Sequence, residues 1–258
     1  MTAHAVTDGR GEQSGPARAR LLVVVAVEAE AAAVLRGLPG GSVGLPLPGG
    51  TLHRAERVPV DVLAAGVGPA AAAAAAATAL AAHPYALAVS AGIAGGFTPL
   101  APVGATVLAD AIVAADLGAE TPEGFADVTE LGFGTVRHTP PADVVALAAR
   151  ALAGPDLAVG PVLTVSTVTG SAGRAAELTT RHPGAVAEAM EGFGVAEAAV
   201  RYGVPALELR TVSNPVGPRD RSAWRIGEAL AALERAFAAL PVHELAARPR
   251  TIEEAGRG

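Results

Sequence analysis

Short apolar runs alternate with amphipathic or alanine-rich stretches along most of the chain. The first run, 21–27, is continuous and β-branched, which is typical of a strand covered on both faces. A helical pattern over 28–38 follows and ends at Pro39-Gly40-Gly41. Periodicity predicts further strands at 51–55, 58–65, 86–90, 104–115, 157–166, 186–190 and 206–212. It predicts further helices at 70–82, 141–152, 171–181, 191–202 and 223–240.

This alternation predicts a single α/β domain with three layers, in which helices flank a central mixed, mostly parallel sheet. A tight connection separates 51–55 from 58–65, so we expect an antiparallel pair there, preceded by a loop at 41–50. The stretch 116–137 is long and irregular. Such stretches in compact domains are often part of a binding site or an interface.

Composition and charge narrow the class of protein. Hydrophobic residues make up 51% of the 258 and charged residues 17%, so an ordered globular chain is expected. The net charge of −6 gives no electrostatic reason to expect nucleic acid or an anionic membrane as a partner. We expect a domain at 21–245 between flexible tails at 1–20 and 246–258. The first tail lacks the apolar segment of a signal peptide, and the run 70–82 is too short to span a bilayer, so a cytoplasmic location is expected.

Two residue types are missing from the chain, and their absence excludes several chemistries. Without cysteine there is no disulfide, thiolate nucleophile or thiolate metal site. Without lysine there is no Schiff-base enzyme and no phosphate-binding P-loop lysine. The six histidines are scattered, with none paired at helix spacing, so we expect no metal and no cofactor.

Polar side chains follow three of the predicted strands. Glu30 lies just after the first, Glu191 after the run 186–190, and Ser213-Asn214 after the last. Because ligands in open α/β sheets bind beyond the carboxyl ends of the strands, these groups can face one cleft. Taken singly, each has a structural alternative, since acids favour a first helical turn and Asn favours turns.

Two glycine-rich segments also follow strands. Gly66-Val67-Gly68-Pro69-Ala70-Ala71 matches a dinucleotide-binding pattern, but the acid expected about 20 residues later is missing, and a tight strand-to-helix turn is the simpler interpretation. The turn from Ala91 to Phe97 would let backbone N–H groups approach a ligand. A dinucleotide-dependent oxidoreductase therefore stays open as an alternative.

Five segments, in order, resemble the nucleoside phosphorylase superfamily: Val27-Glu28-Ala29-Glu30, Gly66-Val67-Gly68, Ser90 to Gly96, Met190-Glu191, and Arg210-Thr211-Val212-Ser213-Asn214. The resemblance covers nearly the whole chain after the first tail. It implies cleavage of an N-ribosidic bond by a homo-oligomer. Among its members the chain resembles the nucleosidases for methylthioadenosine and, more closely, for futalosine, a nucleoside of the menaquinone pathway.

The resemblance also implies roles for individual residues. Glu30 matches the carboxylate that activates water, Glu191 the one that holds the ribose hydroxyls, and Asn214 the position that recognises the base. The residues expected to contact substrate are Ser90, Ala91, Gly92, Met190, Ser213, Phe193 and Arg219. Of these, Phe193 is offered for the base plane, and Arg219, with Arg221 as an alternative, for a substrate carboxylate.

The chemistry of the side chains gives a second argument for the same reaction. An Asn amide complements a 6-oxopurine, with its NH2 towards O6 and its C=O towards N7–H. Carboxylates at the first strand end would repel phosphate, so water is the expected nucleophile. With this chemistry, the resemblance implies hydrolysis of futalosine to hypoxanthine. The alternatives are a methylthioadenosine/S-adenosylhomocysteine nucleosidase, a purine nucleoside phosphorylase and a nucleoside-binding protein without turnover.

Overall fold

The structure is a computed structural model and describes residues 19–248. Arg20 begins the first strand and Ala246 ends the last helix, so each belongs to the folded domain. The rest of the two predicted tails lies outside the described residues, apart from Ala19, Ala247 and Arg248. Within 19–248 no helix is both long and apolar enough to cross a bilayer.

All eight predicted strands are present, together with four others. They run β1 (Arg20–Val25), β2 (Ser42–Leu47), β3 (Gly50–Ala55), β4 (Val60–Ala64), β5 (Tyr85–Gly96), β6 (Thr106–Ala114), β7 (Gly118–Thr121), β8 (Gly124–Asp127), β9 (Arg137–His138), β10 (Leu157–Thr164), β11 (Ala187–Ala189) and β12 (Ala206–Pro215). The helices are α1 (Glu28–Gly37), α2 (Pro69–Ala82), α3 (Ala142–Ala151), α4 (Ala172–Arg181), α5 (Gly192–Arg201), α6 (Ile226–Ala239) and α7 (Val242–Ala246).

The main sheet is mixed, in the order β11-β10-β6-β12-β5-β1-β4-β3-β2, with β9 beside β6. Strand β5 pairs in parallel with β1 and β12, and its last residues also pair with β11, so that part of the sheet closes on itself. Helices α2 and α5 pack together on one face, and α1 and α6 pack together on the other. The single three-layer α/β domain expected from the sequence is confirmed.

Three local predictions differ from the structure. The segment 41–50 is not a loop, because β2 pairs with β3 along its whole length. Its apolar residues Val43, Leu45 and Leu47 alternate with Ser42, Gly44 and Pro46, but glycine and proline are typical of loops and concealed this edge strand. The glycine-rich turn after Ser90 continues as strand to Gly96, because β12 and β11 pair with its backbone. The irregular stretch 116–137 contains the hairpin β7–β8.

Candidate active site

Glu30 lies in the first turn of α1, directly after β1, and is 3% exposed. Its Oε2 accepts hydrogen bonds from the backbone N–H groups of Ala26 at 2.9 Å and Val27 at 3.2 Å. Its Oε1 accepts from the N–H of Ile93 on β5 at 2.9 Å. An ionised carboxylate offers about four acceptor positions, so these bonds leave one position for a further donor such as water.

Gly92 makes the approach of Glu30 to β5 possible. A Cβ at this position would lie 2.5 Å from Glu30 Oε1 and 2.9 Å from Arg210 Nη1. The residue also has φ +146°, a region that side chains rarely adopt. Glycine is therefore required here for both space and backbone conformation.

Arg210, on β12, is fully buried and lies between carboxylates from two different elements. Its Nε donates to Glu208 Oε1 at 2.9 Å, and its Nη1 lies 3.2 Å from Glu191 Oε2. Its Nη2 donates to Ser90 Oγ at 2.9 Å. The fork of one guanidinium thus fixes the positions of β5, β12 and the start of α5 around a single point.

Glu191 precedes α5 and is 4% exposed. Its Oε1 accepts from the N–H of Gly68, at the N-terminus of α2, at 3.2 Å. A side chain on Gly194 would collide with the Pro69 carbonyl, so glycine there lets α5 lie against the start of α2. The Gly66 to Ala71 segment that resembles a dinucleotide motif is thus a tight turn that contacts an internal carboxylate.

The charges around Arg210 do not balance. Burial lowers the pKa of Arg210, but the carboxylates of Glu208, Glu191 and Glu30 outweigh this and hold it above its ordinary value. Burial raises the pKa of Glu208, which the ion pair with Arg210 offsets only in part. Three acids share one guanidinium, so carboxylates are in excess around it, and such an excess can stabilise a cation that develops nearby.

Asn214 lies further along β12, opposite Gly95 of β5. A register shift at Ser213 places Asn214 there, and such a bulge re-aims the side chain that follows it. The Ser213 hydroxyl lies 2.9 Å from Asn214 Oδ1, and Asn214 Nδ2 donates to the Pro215 carbonyl at 3.1 Å. Reversing the amide would bring its oxygen against that carbonyl, so these contacts fix which end of the amide is donor and which is acceptor.

A pocket opens beside Asn214. Its aromatic wall is Trp224, and the Arg219 guanidinium carbon lies 5.4 Å from the ring centroid. Glu188 and Thr169 also line this pocket. The other lining residues are Gly95, Val168, Pro215, Val216, Gly217, Pro218, Asp220 and Ala223.

Strand β5 connects the Arg210 cluster with this pocket. Ile93 donates its N–H to Glu30, and Gly95, two residues later, lines the pocket next to Asn214. Two residues of a strand span roughly 7 Å, less than the length of a nucleoside. The structure therefore brings Glu30, Glu191 and Asn214 to one edge of the sheet.

The remaining predicted contact residues lie at varied distances from this edge. Ser90 and Ala91 are buried and contact Arg210, the latter through its carbonyl at 3.5 Å. Met190 is partly exposed beside Glu191. Phe193 is different, since it belongs to the core and its ring lies 4.9 Å from that of His138.

The sequence interpretation did not assign several residues that the structure places here. Glu208 and Arg210 are charges two residues apart in an apolar strand, and that anomaly was the available signal. Glu188 interrupts the apolar run before Met190 in the same way. Trp224 lies before a helix start and had no sequence signal that linked it to the site.

The chain matches a known protein family. The family model described as the phosphorylase superfamily matches residues 20–247. A futalosine hydrolase from Streptomyces coelicolor is 63% identical over 230 residues, which is 87% of this chain and 96% of the relative. A futalosine hydrolase from Acidothermus cellulolyticus is 50% identical over 221 residues, 85% of this chain and 89% of the relative.

Solved structures share the fold. The native structure of futalosine hydrolase from Helicobacter pylori superimposes with a TM-score of 0.76 at 17% identity, over 86% of this chain and 97% of the other. A 5′-methylthioadenosine/S-adenosylhomocysteine nucleosidase from Neisseria meningitidis, solved with methylthio-immucillin-A, gives 0.75 at 20% identity, over 86% and 97%.

Proposed function

The chain belongs to the phosphorylase superfamily, and we propose that it is a hydrolase that cleaves the N-ribosidic bond of futalosine and releases hypoxanthine. The observation on which this rests is the 63% identity to a futalosine hydrolase over almost its whole length. The excess of carboxylates around Arg210 and the amide of Asn214 supply the chemistry that such a reaction needs.

In the proposed mechanism, Glu30 activates the attacking water. Its unoccupied acceptor position takes a proton from the water while the oxygen forms a bond to C1′ of the ribose. The bond from C1′ to N9 breaks, and its electron pair leaves with the base. Three backbone donors hold the carboxylate in place, so little reorganisation is needed when the charge moves.

Glu191 is proposed to bind the ribose hydroxyls. One of its oxygens is held by Gly68 and the other lies near Arg210, so its orientation is set before substrate arrives. As the sugar becomes cationic its hydroxyls become better donors, and their bonds to a carboxylate strengthen. The partly exposed Met190 next to it would pack against the sugar.

Asn214 is proposed to stabilise the departing base. Its free N–H faces O6, where negative charge accumulates, and its oxygen accepts from N7 once N7 has taken a proton from solvent. The local bonds to Ser213 and Pro215 favour this orientation, which matches hypoxanthine and opposes adenine.

Water rather than phosphate is the proposed nucleophile. Arg210 is occupied by Glu208, Glu191 and Ser90, so its guanidinium is not available to a phosphate. The carboxylate of Glu30 would also repel a phosphate. Incubation with futalosine should release hypoxanthine at the same rate with and without inorganic phosphate, and no hypoxanthine release from futalosine would refute the proposed function.

Asn214→Asp is expected to lower kcat/KM for futalosine about 10- to 100-fold, because a carboxylate cannot donate to O6. The 6-amino counterpart of futalosine should lose less or gain, since the same carboxylate can accept from the 6-amino group and from N7–H of the departing adenine. Hypoxanthine and adenine release are measured on the same preparation. An unchanged ratio between the two nucleosides would place base selection elsewhere.

Two further features belong to the same proposal. Arg219 is exposed at the pocket wall and would bind the carboxylate attached to the 5′ side of futalosine. A cytoplasmic homo-oligomer is proposed as well, and the 81% exposure of Phe133 provides apolar surface of the kind that contact between copies covers. Light scattering of the purified protein measures the oligomeric state.

A further inference from the structure

We propose that Glu188 determines base specificity by accepting the N1–H of a 6-oxopurine while Asn214 contacts O6 and N7 of the same base. This inference rests on the proposed function and extends it to a residue that the sequence interpretation did not select. It arises from the strand register around Gly95.

Gly95 pairs with Glu188 of β11 on one side and with Asn214 of β12 on the other. Directly paired residues in a sheet point their side chains to the same face, and neighbouring strands lie about 4.8 Å apart. The Cα atoms of Glu188 and Asn214 are therefore roughly 10 Å apart across a residue without a side chain. A flat base would lie between these two side chains and beside Val216, with its six-membered ring towards Glu188.

The side chains of Val216 and Asn214 occupy the space directly above Gly95. A Cβ at Gly95 would lie 2.9 Å from Val216 Cγ2 and 3.4 Å from Asn214 Nδ2. Because Gly95 has no side chain, Val216 and Asn214 can pack close to β5, and Trp224 lines the same pocket. On either side of Gly95, the Glu188 carboxylate and the Asn214 amide present hydrogen-bonding atoms to the pocket.

Thr169 holds the Glu188 carboxylate in place. Its backbone N–H donates to Oε1 at 2.8 Å, and its hydroxyl donates to Oε2 at 2.5 Å. Glu188 is 6% exposed, so its remaining lone pairs face the pocket instead of bulk water. A buried carboxylate with unused acceptor positions favours a ligand that supplies an N–H.

The chemistry of the base edge supplies the specificity. Along one edge, a 6-oxopurine presents N1–H as a donor, O6 as an acceptor and N7, which is protonated in the departing base. Adenine presents N1 as an acceptor, which an ionised Glu188 would repel. The carboxylate and the amide thus contact adjacent atoms of one edge and select the same base by independent bonds.

Protonation of Glu188 should change the preference between the two substrates as the pH changes. Burial raises the pKa of Glu188 above its ordinary value, while the donations from Thr169 and the charge of Arg174 lower it and the charge of Asp116 raises it. Arg219 and Asp220 also line the pocket. As pH falls through this raised pKa, Glu188 becomes a donor, so the ratio of futalosine to 6-amino substrate turnover should fall. Glu30 acts on both substrates alike and cancels in the ratio.

The test compares Glu188→Gln with wild type on futalosine and its 6-amino counterpart. The Gln amide can keep its oxygen towards Thr169 and turn its NH2 to the base, so kcat/KM for futalosine should fall about 10- to 100-fold relative to the 6-amino substrate. Glu234→Gln, at a partly exposed position of α6 that pairs with Arg36, is the matched control and should leave both values unchanged. An unchanged ratio in Glu188→Gln would overturn the inference, while wild-type release of hypoxanthine would still support the proposed function.

Binding of free bases to wild type tests the inference without any variant. The 1-deaza analogue of hypoxanthine has a C–H where N1–H was and nearly the same shape. Quenching of Trp224, the single tryptophan of the chain, reports its affinity. Hypoxanthine should bind at least about 10-fold more tightly than the analogue, and equal affinities would mean that Glu188 does not accept from N1.

Discussion

Glu30→Gln is expected to reduce kcat for futalosine about 10²- to 10⁴-fold, the usual contribution of a general base. The amide cannot take the proton from water, although the side chain keeps its length. Binding should persist, because Glu30 does not contact the base in the proposed arrangement. Hypoxanthine release measures the turnover, and Trp224 fluorescence measures binding of the product base.

The matched control for this variant is Glu28→Gln, since Glu28 lies in the same helical turn but is exposed. It should retain wild-type turnover. In Glu30→Gln the new amide must face at least one of the three backbone donors with its NH2, so a modest loss of stability is also expected. A thermal denaturation curve separates that effect from the loss of the base. Turnover at the wild-type level in Glu30→Gln would exclude Glu30 as the base.

Arg210→Met is expected to lower the free energy of unfolding by about 3–5 kcal/mol, the cost of removing one partner from a buried ion pair. The change leaves Glu191 and Glu208 buried without their counter-charge, and Ser90 without its donor. Urea denaturation at neutral pH measures the loss.

Acidic conditions should reduce this cost. With the guanidinium gone, protonation of Glu208, whose pKa burial already raises, removes an unpaired charge from the interior. Arg36→Met is the control, because its pair with Glu234 is 54% and 40% exposed and contributes about 0–1 kcal/mol. A loss below about 1 kcal/mol in Arg210→Met would contradict the charged cluster.

The order of strands and helices could be predicted because it follows from local periodicity. The runs before Glu30 and Glu191 are buried on both faces and show no alternation, so they were recognisable as central strands. The edge strand β2 was missed because Gly44 and Pro46 lie in its short alternating run and suggested a loop, and only its pairing with β3 shows that it is a strand. The continuation of β5 through its glycines likewise depends on neighbours that are distant in sequence.

The residues of the candidate site also fall into two groups, those that the sequence indicated and those that only the structure placed there. Glu30, Glu191 and Asn214 could be proposed because each follows a strand and belongs to a segment that resembles the family. Arg210 and Glu188 lie within strands, where a charge is recognisable as unusual but its partners are not. Phe193 was proposed to contact the plane of the base. Its position in the sequence could not show that its ring lies in the core against His138.

The amino-acid sequence by itself determined the fold class, the excluded chemistries and the carboxylates and amide at the strand ends, because these depend on residue type and short-range spacing. Only the tertiary structure decided that one guanidinium lies between Glu191 and Glu208, and that Gly95 separates Glu188 from Asn214. The reason is physical: strand register and a single bulge at Ser213 determine which side chains share a face, and both depend on hydrogen bonds between segments distant in the chain.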